Sequence, residues 1–324
     1  MTATPVTLDD IQEAFTRIKD RVRRTPLLRT RFIREAPTKN PLMVKLECLQ
    51  VTGSFKPRGA MNAALQLSEA EVKRGIVTAS GGNHGLGAAY AGWSLGARAV
   101  IYLPSSTPAA KAEKLRAWGA EVIIEGTVWD EANEAALARA ERDGMTYIHP
   151  FADPAVIAGQ GTLAVEMLKQ SPDLDAIVVA IGGGGLISGV ATAAKAIKPS
   201  IKIIGVEAVG APALSQSLKA GELVTLSEVT TEAGTLAPKR SAQLNLDIIR
   251  EQVDDIVLVS DDDMRRAAQW LWFEMGIGTE LSGAASLAAI QAGKLKDSKV
   301  DLPEDALIAT IACGSGSDGI PVVG

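Results

Sequence analysis

Apolar residues along the chain recur with two different periods, and the alternation between them sets the expected fold. Leu8, Ile11, Phe15, Ile18 and Val22 keep helical spacing over 7–23, and Thr25-Pro26 ends the segment, so an amphipathic entry helix is expected there. The short run 42–46 reads as a strand, and 59–67 as the helix after it, stopped near Ser68. From Gly75 the alternation becomes regular. Strands are expected at 76–79, 100–103, 122–124 and 146–148, with helices at 83–95, 109–118 and 130–142 between them. Leu86, Tyr90, Trp93 and Ala97 share one face of the first of these helices, which predicts a packing stripe with its aromatic rings in the core. A second series follows, with strands at 176–181, 201–206, 255–259 and 307–312. Its helices are expected around 163–170, 187–197, 211–218, 262–275 and 282–291. The strands of this second series are continuous apolar runs, the pattern of parallel strands covered on both faces. The expected fold class is therefore α/β, built on open parallel sheets.

Composition narrows the function classes. At 324 residues and 47% hydrophobic content the chain can bury a large core and fill two domains. A net charge of −5 with scattered lysines and arginines argues against a nucleic-acid surface or a polybasic membrane contact. The first ten residues lack a basic stretch followed by an apolar one, and no apolar run reaches membrane-spanning length, so a cytoplasmic location is expected. Cys48 and Cys313 lie too far apart in sequence for a disulfide framework or zinc-type spacing.

Four short stretches carry chemistry, three of them directly after an apolar strand-like run. Thr52-Gly53-Ser54-Phe55-Lys56-Pro57-Arg58-Gly59 places one lysine between an aromatic ring and a proline. In a dry site such an amine becomes nucleophilic and can form a Schiff base with an aldehyde, while the Phe55 ring packs on a flat heteroaromatic. Gly182-Gly183-Gly184-Gly185 opens a helix at Leu186, so its amides form an anion cradle at the positive end of that helix. A dinucleotide reading of the same loop stays open: Ser188 stands where a third glycine is due, but Glu207 follows at the distance of a ribose-binding acid. Ser80-Gly81-Gly82-Asn83-His84 offers amides, a hydroxyl and a carboxamide to a carboxylate, or else caps its helix through Asn83 or Ser80. Cys313 ends the last strand and opens a glycine-rich turn. His149, before Pro150, reads as a structural histidine.

In this order the four stretches resemble the threonine dehydratase and serine racemase family of pyridoxal phosphate enzymes, of the tryptophan-synthase-like fold type, from about Thr25 to the C-terminus. The resemblance implies a large domain of 1–74 and 151–324, a small one of 75–150, the cofactor in the cleft between them, and a homodimer. It implies that Lys56 holds the cofactor and removes the substrate α-proton. Phe55, Asn83, Gly182, Gly183, Gly184, Gly185, Leu186 and Cys313 would contact the cofactor, Cys313 at its ring nitrogen. Ser80, Gly81, Gly82, Asn83 and His84 would bind an amino-acid substrate. The implied reaction is elimination from an L-β-hydroxy-α-amino acid, with threonine and serine the default substrates of the family, to a 2-oxo acid and ammonia.

Departures from the family pattern bear on substrate and metal. Gly81 replaces the serine that racemases use as a second acid, and Leu86 replaces a glutamine of many dehydratases, which points to a roomier, more apolar pocket and a bulky substituent such as that of 3-phenylserine. Lys239 or Arg240 could instead meet the second carboxylate of 3-hydroxyaspartate. Glu207 matches a divalent-cation ligand whose acidic partner is missing, with Ala211 and Ala213 in its neighbourhood, so no complete metal site is expected. Outside the family, a nicotinamide-dependent oxidoreductase or a non-catalytic amino-acid-binding protein would leave Lys56 unexplained.

Overall fold

The computed structural model describes residues 6–320. Its strands are β1 (Leu27–Arg29), β2 (Leu42–Lys45), β3 (Ile76–Ala79), β4 (Ala99–Leu103), β5 (Glu121–Ile124), β6 (Thr146–Tyr147), β7 (Ala176–Ala180), β8 (Lys202–Ala208), β9 (Asp255–Val259) and β10 (Ile308–Ile311). They form a six-stranded sheet, β1-β2-β10-β7-β8-β9, and a four-stranded sheet, β5-β4-β3-β6. Among the described residues only β1 with β2 pairs antiparallel; the other pairings are parallel. The α/β class expected from the apolar runs is the class observed: β7 and β10 are buried at every position because helices cover both faces.

The helices are α1 (Leu8–Ile18), α2 (Lys56–Ala64), α3 (Glu69–Arg74), α4 (Asn83–Leu95), α5 (Ala109–Ala117), α6 (Trp129–Asp143), α7 (Pro154–Gln170), α8 (Gly185–Ile197), α9 (Ala213–Ala220), α10 (Gln243–Gln252), α11 (Asp261–Met275) and α12 (Leu281–Gln291). None among the described residues is long and apolar enough to cross a membrane. Thr7 starts α1 through a capping box with Asp10, and the helix ends at Ile18, short of the expected Arg23. Helix α2 begins at Lys56 itself, three residues earlier than expected, with Pro57 preset for a first turn.

Helix α7 is twice the expected length, because Asp153 caps it and Gly159 and Gly161 lie inside it. Both glycines are packing positions. A Cβ on Gly161 would fall 2.8 Å from the Gly189 carbonyl of α8, and one on Gly159 would press on the Arg58–Gly59 backbone of α2. Close approach of three buried helices outweighs the roughly 1 kcal/mol that glycine costs in a helix interior. Two further elements, α3 and α10, and the edge strand β1 had no counterpart in the apolar pattern.

One packing expectation fails. Tyr90 is buried, but Trp93 is 63% exposed, stacked on Tyr90 and edge-on to Trp118 at the surface. Periodicity shows which positions share a face. It does not show how far the neighbouring structure extends over that face.

Candidate active site

The two sheets meet at a cleft lined by Phe55, Lys56, Asn83, Phe151, Ala180, the four glycines 182–185, Leu186, Thr235, Leu236, Glu280, Ser282 and Cys313, with about 470 Å³ of empty space counted to its mouth. The segments that follow β2, β3, β6, β7 and β10 deliver helix N-termini or turns to this cleft, which lies beyond the carboxyl ends of the parallel strands. Lys56 sits in the first turn of α2, reached through two 3₁₀ turns after β2. Inside the second of these turns Thr52 holds a left-handed φ of 65°. The Lys56 Nζ donates to the Pro150 carbonyl at 2.8 Å and lies 5.2 Å from the Phe55 ring centre. Burial among these walls lowers its pKa to about 8. Helix α4 closes on it: Gly87 lies one turn after Asn83, and a Cβ there would be 3.2 Å from the Lys56 Cβ.

The glycine loop fits a phosphate. Gly184 has a φ of +95°, and α8 starts without a side-chain cap, so its first-turn amides have no side-chain partner. Glycine is required by the protein as much as by any ligand. A Cβ on Gly182 would sit 2.7 Å from the Thr235 carbonyl, one on Gly185 2.7 Å from the Phe151 carbonyl, and one on Gly183 would overlap the Phe151 ring. Phe151 is fixed from behind by His149, whose Nδ1 accepts from the Phe151 and Ala152 amides at 3.2 and 2.9 Å. Desolvation lowers the His149 pKa to about 4, so it stays a neutral acceptor, in keeping with the structural role expected for it.

Cys313 is buried with its Sγ donating to the Ser282 carbonyl at 3.6 Å, and burial raises its pKa, keeping the thiol neutral. Asn83 does not cap α4. Its Nδ2 donates to Glu280 Oε1 at 2.7 Å, which also accepts from Thr235 Oγ1 at 3.0 Å. Glu280, at the start of α12, is the ionisable group of the cleft that sequence reasoning missed; burial raises its pKa. Its flanking pattern, Gly278-Thr279 before and Ser282-Gly283 after, was the available signal.

Four sequence-based placements need correction. The His84 side chain is buried away from the cleft, within hydrogen-bond distance of Thr78 Oγ1 and the Ile148 carbonyl (2.9 Å). A carbonyl only accepts, so Nε2 carries the proton. Leu86 is buried in the apolar cluster that includes Leu103, Leu115 and Met61. His84 directly follows Asn83 on a helix that rotates about 100° per residue, which turns it off the Asn83 face. Lys239 and Arg240 are exposed and line no wall of the cleft, with Arg240 donating to Thr225 Oγ1. Gly81 turns toward the small sheet, where a Cβ would meet Thr107 Cγ2 at 2.9 Å, and its φ is not positive. Gly82 lies beside Thr235 of the cleft wall, where a Cβ would be 3.7 Å from its Cγ2, and its amide donates to Ser80 Oγ at 3.3 Å.

Glu207 lies inside β8 and is 1% exposed. Its Oε1 accepts from the Leu214 amide at 2.8 Å, and its Oε2 from the Ser215 amide at 2.8 Å and hydroxyl at 2.6 Å. The first turn of α9 thus satisfies this carboxylate where a cation otherwise would. No trio of histidine, cysteine or acidic residues with metal-binding geometry occurs among the described residues, and this donor set does not fit a divalent ion. Incubation with a chelator followed by assay is expected to leave activity unchanged. Complete inactivation reversed by magnesium would overturn this.

The profile of the pyridoxal-phosphate dependent enzyme family matches residues 18–314. The L-threonine ammonia-lyase of Thermotoga maritima is 41% identical over 285 residues, covering 88% of this chain and 71% of the relative. The catabolic L-threonine dehydratase of Staphylococcus aureus strain N315 is 39% identical over 91% of this chain and 85% of its own. Among solved structures, maize serine racemase superposes with a TM-score of 0.92 at 36% identity, over 98% of this chain and 95% of that one.

Proposed function

Because the chain belongs to the family of pyridoxal-phosphate dependent enzymes, we propose that it is an ammonia-lyase that converts L-threonine and L-serine to 2-oxo acids and ammonia. The observation that carries this reading is the convergence on one cleft of the Lys56 amine, the uncapped glycine start of α8 and the neutral Cys313 thiol. Pyridoxal phosphate bound there supplies an electron sink that acidifies the substrate α-carbon. Lys56 attaches the cofactor and, as a neutral amine, takes the α-proton. The glycine loop holds the phosphate, Asn83 is fixed by Glu280 for the phenolic oxygen, and the Cys313 thiol leaves the ring nitrogen unprotonated. The 80–84 backbone takes the substrate carboxylate. In this arrangement 1–74 with 151–324 binds the cofactor, and 75–150 brings the substrate loop to it.

The β-hydroxyl leaves as water, and hydrolysis of the free enamine releases ammonia. The 41% identical L-threonine ammonia-lyase supports threonine as substrate. Leu86 lines no wall, so its support for a phenyl substituent falls away. Among the described residues lining the cleft the one acid is Glu280, and Lys239 and Arg240 are not there to attract a second substrate carboxylate. A dinucleotide is disfavoured because both Glu207 oxygens face α9. Assay of 2-oxo acid from L-threonine, L-serine, 3-phenylserine and 3-hydroxyaspartate tests the reading: turnover confined to either of the last two would overturn it.

The enzyme is also expected to leave the configuration of unreacted substrate unchanged. Racemisation returns a proton to the α-carbon from the face opposite Lys56, and Gly81 has no side chain to supply it. Chiral chromatography of residual serine after partial conversion checks this. D-serine formed as fast as 2-oxo acid would mean that another group is the second acid. Gly81→Ser adds a hydroxyl crowded by Thr107, so it should not create a racemase.

A further inference from the structure

Behind the glycine loop, on the side away from the cleft, one buried amide holds two carbonyl oxygens. Asn245 in α10 is fully buried, and its Nδ2 donates to the Gly183 carbonyl at 2.6 Å and to the Phe151 carbonyl at 3.2 Å. The Ser241 hydroxyl donates to the same Gly183 oxygen at 2.9 Å. Neither side chain lines the cleft. A trans peptide is planar, so the C=O of Gly183 and the N–H of Gly184 point in opposite directions. Two donors pulling the oxygen toward α10 therefore turn the Gly184 amide the other way, into the cleft. The positive φ of Gly184 lets the next amide follow, forming a concave set of donors.

We propose that Asn245 and Ser241 are positioning residues for anion binding, fixing the Gly183–Gly184 peptide with its N–H toward the cofactor phosphate. The inference rests on the phosphate reading of the glycine loop. Without the two donors, the Gly183 oxygen would be a buried acceptor with no partner, and rotation of the peptide would relieve it by presenting an oxygen, not an N–H, to the phosphate. Asn245 also couples the loop to Phe151, whose ring presses on Gly183. Nothing in the local pattern at 241–245 marks this function; only the fold brings α10 behind the loop.

The test compares the affinity of the full chain, stripped of cofactor with hydroxylamine, for pyridoxal phosphate and for pyridoxal, which lacks the phosphate. Asn245→Ala should weaken pyridoxal phosphate binding about tenfold to a hundredfold and leave pyridoxal binding unchanged. Ser241→Ala should do the same more weakly, since Asn245 still holds the oxygen. Equal weakening of both ligands in Asn245→Ala would overturn the inference and leave a structural role. So would an unchanged affinity for pyridoxal phosphate. If Asn245→Ala does not fold, Ser241→Ala decides, and an unaltered ratio of the two affinities overturns the inference. A wild-type protein that binds both ligands equally would instead overturn the phosphate reading itself.

Discussion

Lys56→Ala is expected to lower turnover by about a thousandfold or more and to leave a protein whose cofactor borohydride no longer fixes to the chain. Among the described residues lining the cleft, Lys56 is the one amine, so no neighbour can take over covalent attachment and proton transfer together. The fold should survive. Alanine suits the first turn of α2, and a half-buried lysine facing a cleft leaves no apolar void when truncated. Thermal unfolding near the wild-type midpoint, together with lost turnover, is the expected pair of results. Activity within about tenfold of wild type would sink the assignment. The depressed pKa adds a pH dependence. The neutral amine is the nucleophile, so cofactor uptake by the stripped chain should rise with pH and level off above about 8, well below an ordinary lysine near 10.4.

The parts of this site that were legible in the sequence are those whose function is written in adjacent residues. A lysine beside a phenylalanine, four consecutive glycines after an apolar strand and a cysteine at the end of another each combine chemistry with a local geometry. Phe151, Glu280 and Asn245 are single ordinary residues on distant segments, and their roles exist only once the sheets are closed. Misplacements arose within motifs as well. His84 is next to Asn83 in sequence, but helical rotation carries it into the core, and Leu86, nearly one turn on, is covered by neighbouring elements and lines no wall of the cleft. The sequence shows that Gly81 lacks a side chain, but where a Cβ would point is visible only in the fold, which sets it against Thr107, a loop away. In the fold, the interior strands β7, β8 and β10 were legible because burial between helices makes them largely apolar, whereas the short antiparallel edge strand β1 was not. The start of α7 was not, since its glycines are explained only by α2 and α8.

Glu47→Gln should destabilise the protein more than an ordinary polar substitution, by about 3–5 kcal/mol, because it breaks a charge network sealed beneath α2. Glu47, Arg58, Lys45 and Glu166 are all buried, two anions against two cations. Arg58 grips Glu47 with Nε and one terminal nitrogen, both at 2.7 Å, and reaches Glu166 at 2.9 Å; Lys45 reaches Glu166 at 2.7 Å and the Thr25 carbonyl at 2.8 Å. Thr25 also donates to Glu47. With Glu47 neutral, one carboxylate must serve two buried cations, and the excess positive charge has no solvent to screen it. Burial pushes the Glu47 carboxyl up, but Arg58 overrides this and holds it below the usual range. A native carboxylate that binds its proton below about 4.3 contributes stability above that pH and loses it as pH falls through the lower folded value. Urea unfolding across pH should therefore show a shallower acid limb in Glu47→Gln. Pairing it with Arg58→Met removes both charges and leaves Lys45 with Glu166 as a balanced pair, so the double variant should regain much of the loss. A Glu47→Gln protein within about 1 kcal/mol of wild type would mean that water reaches this network.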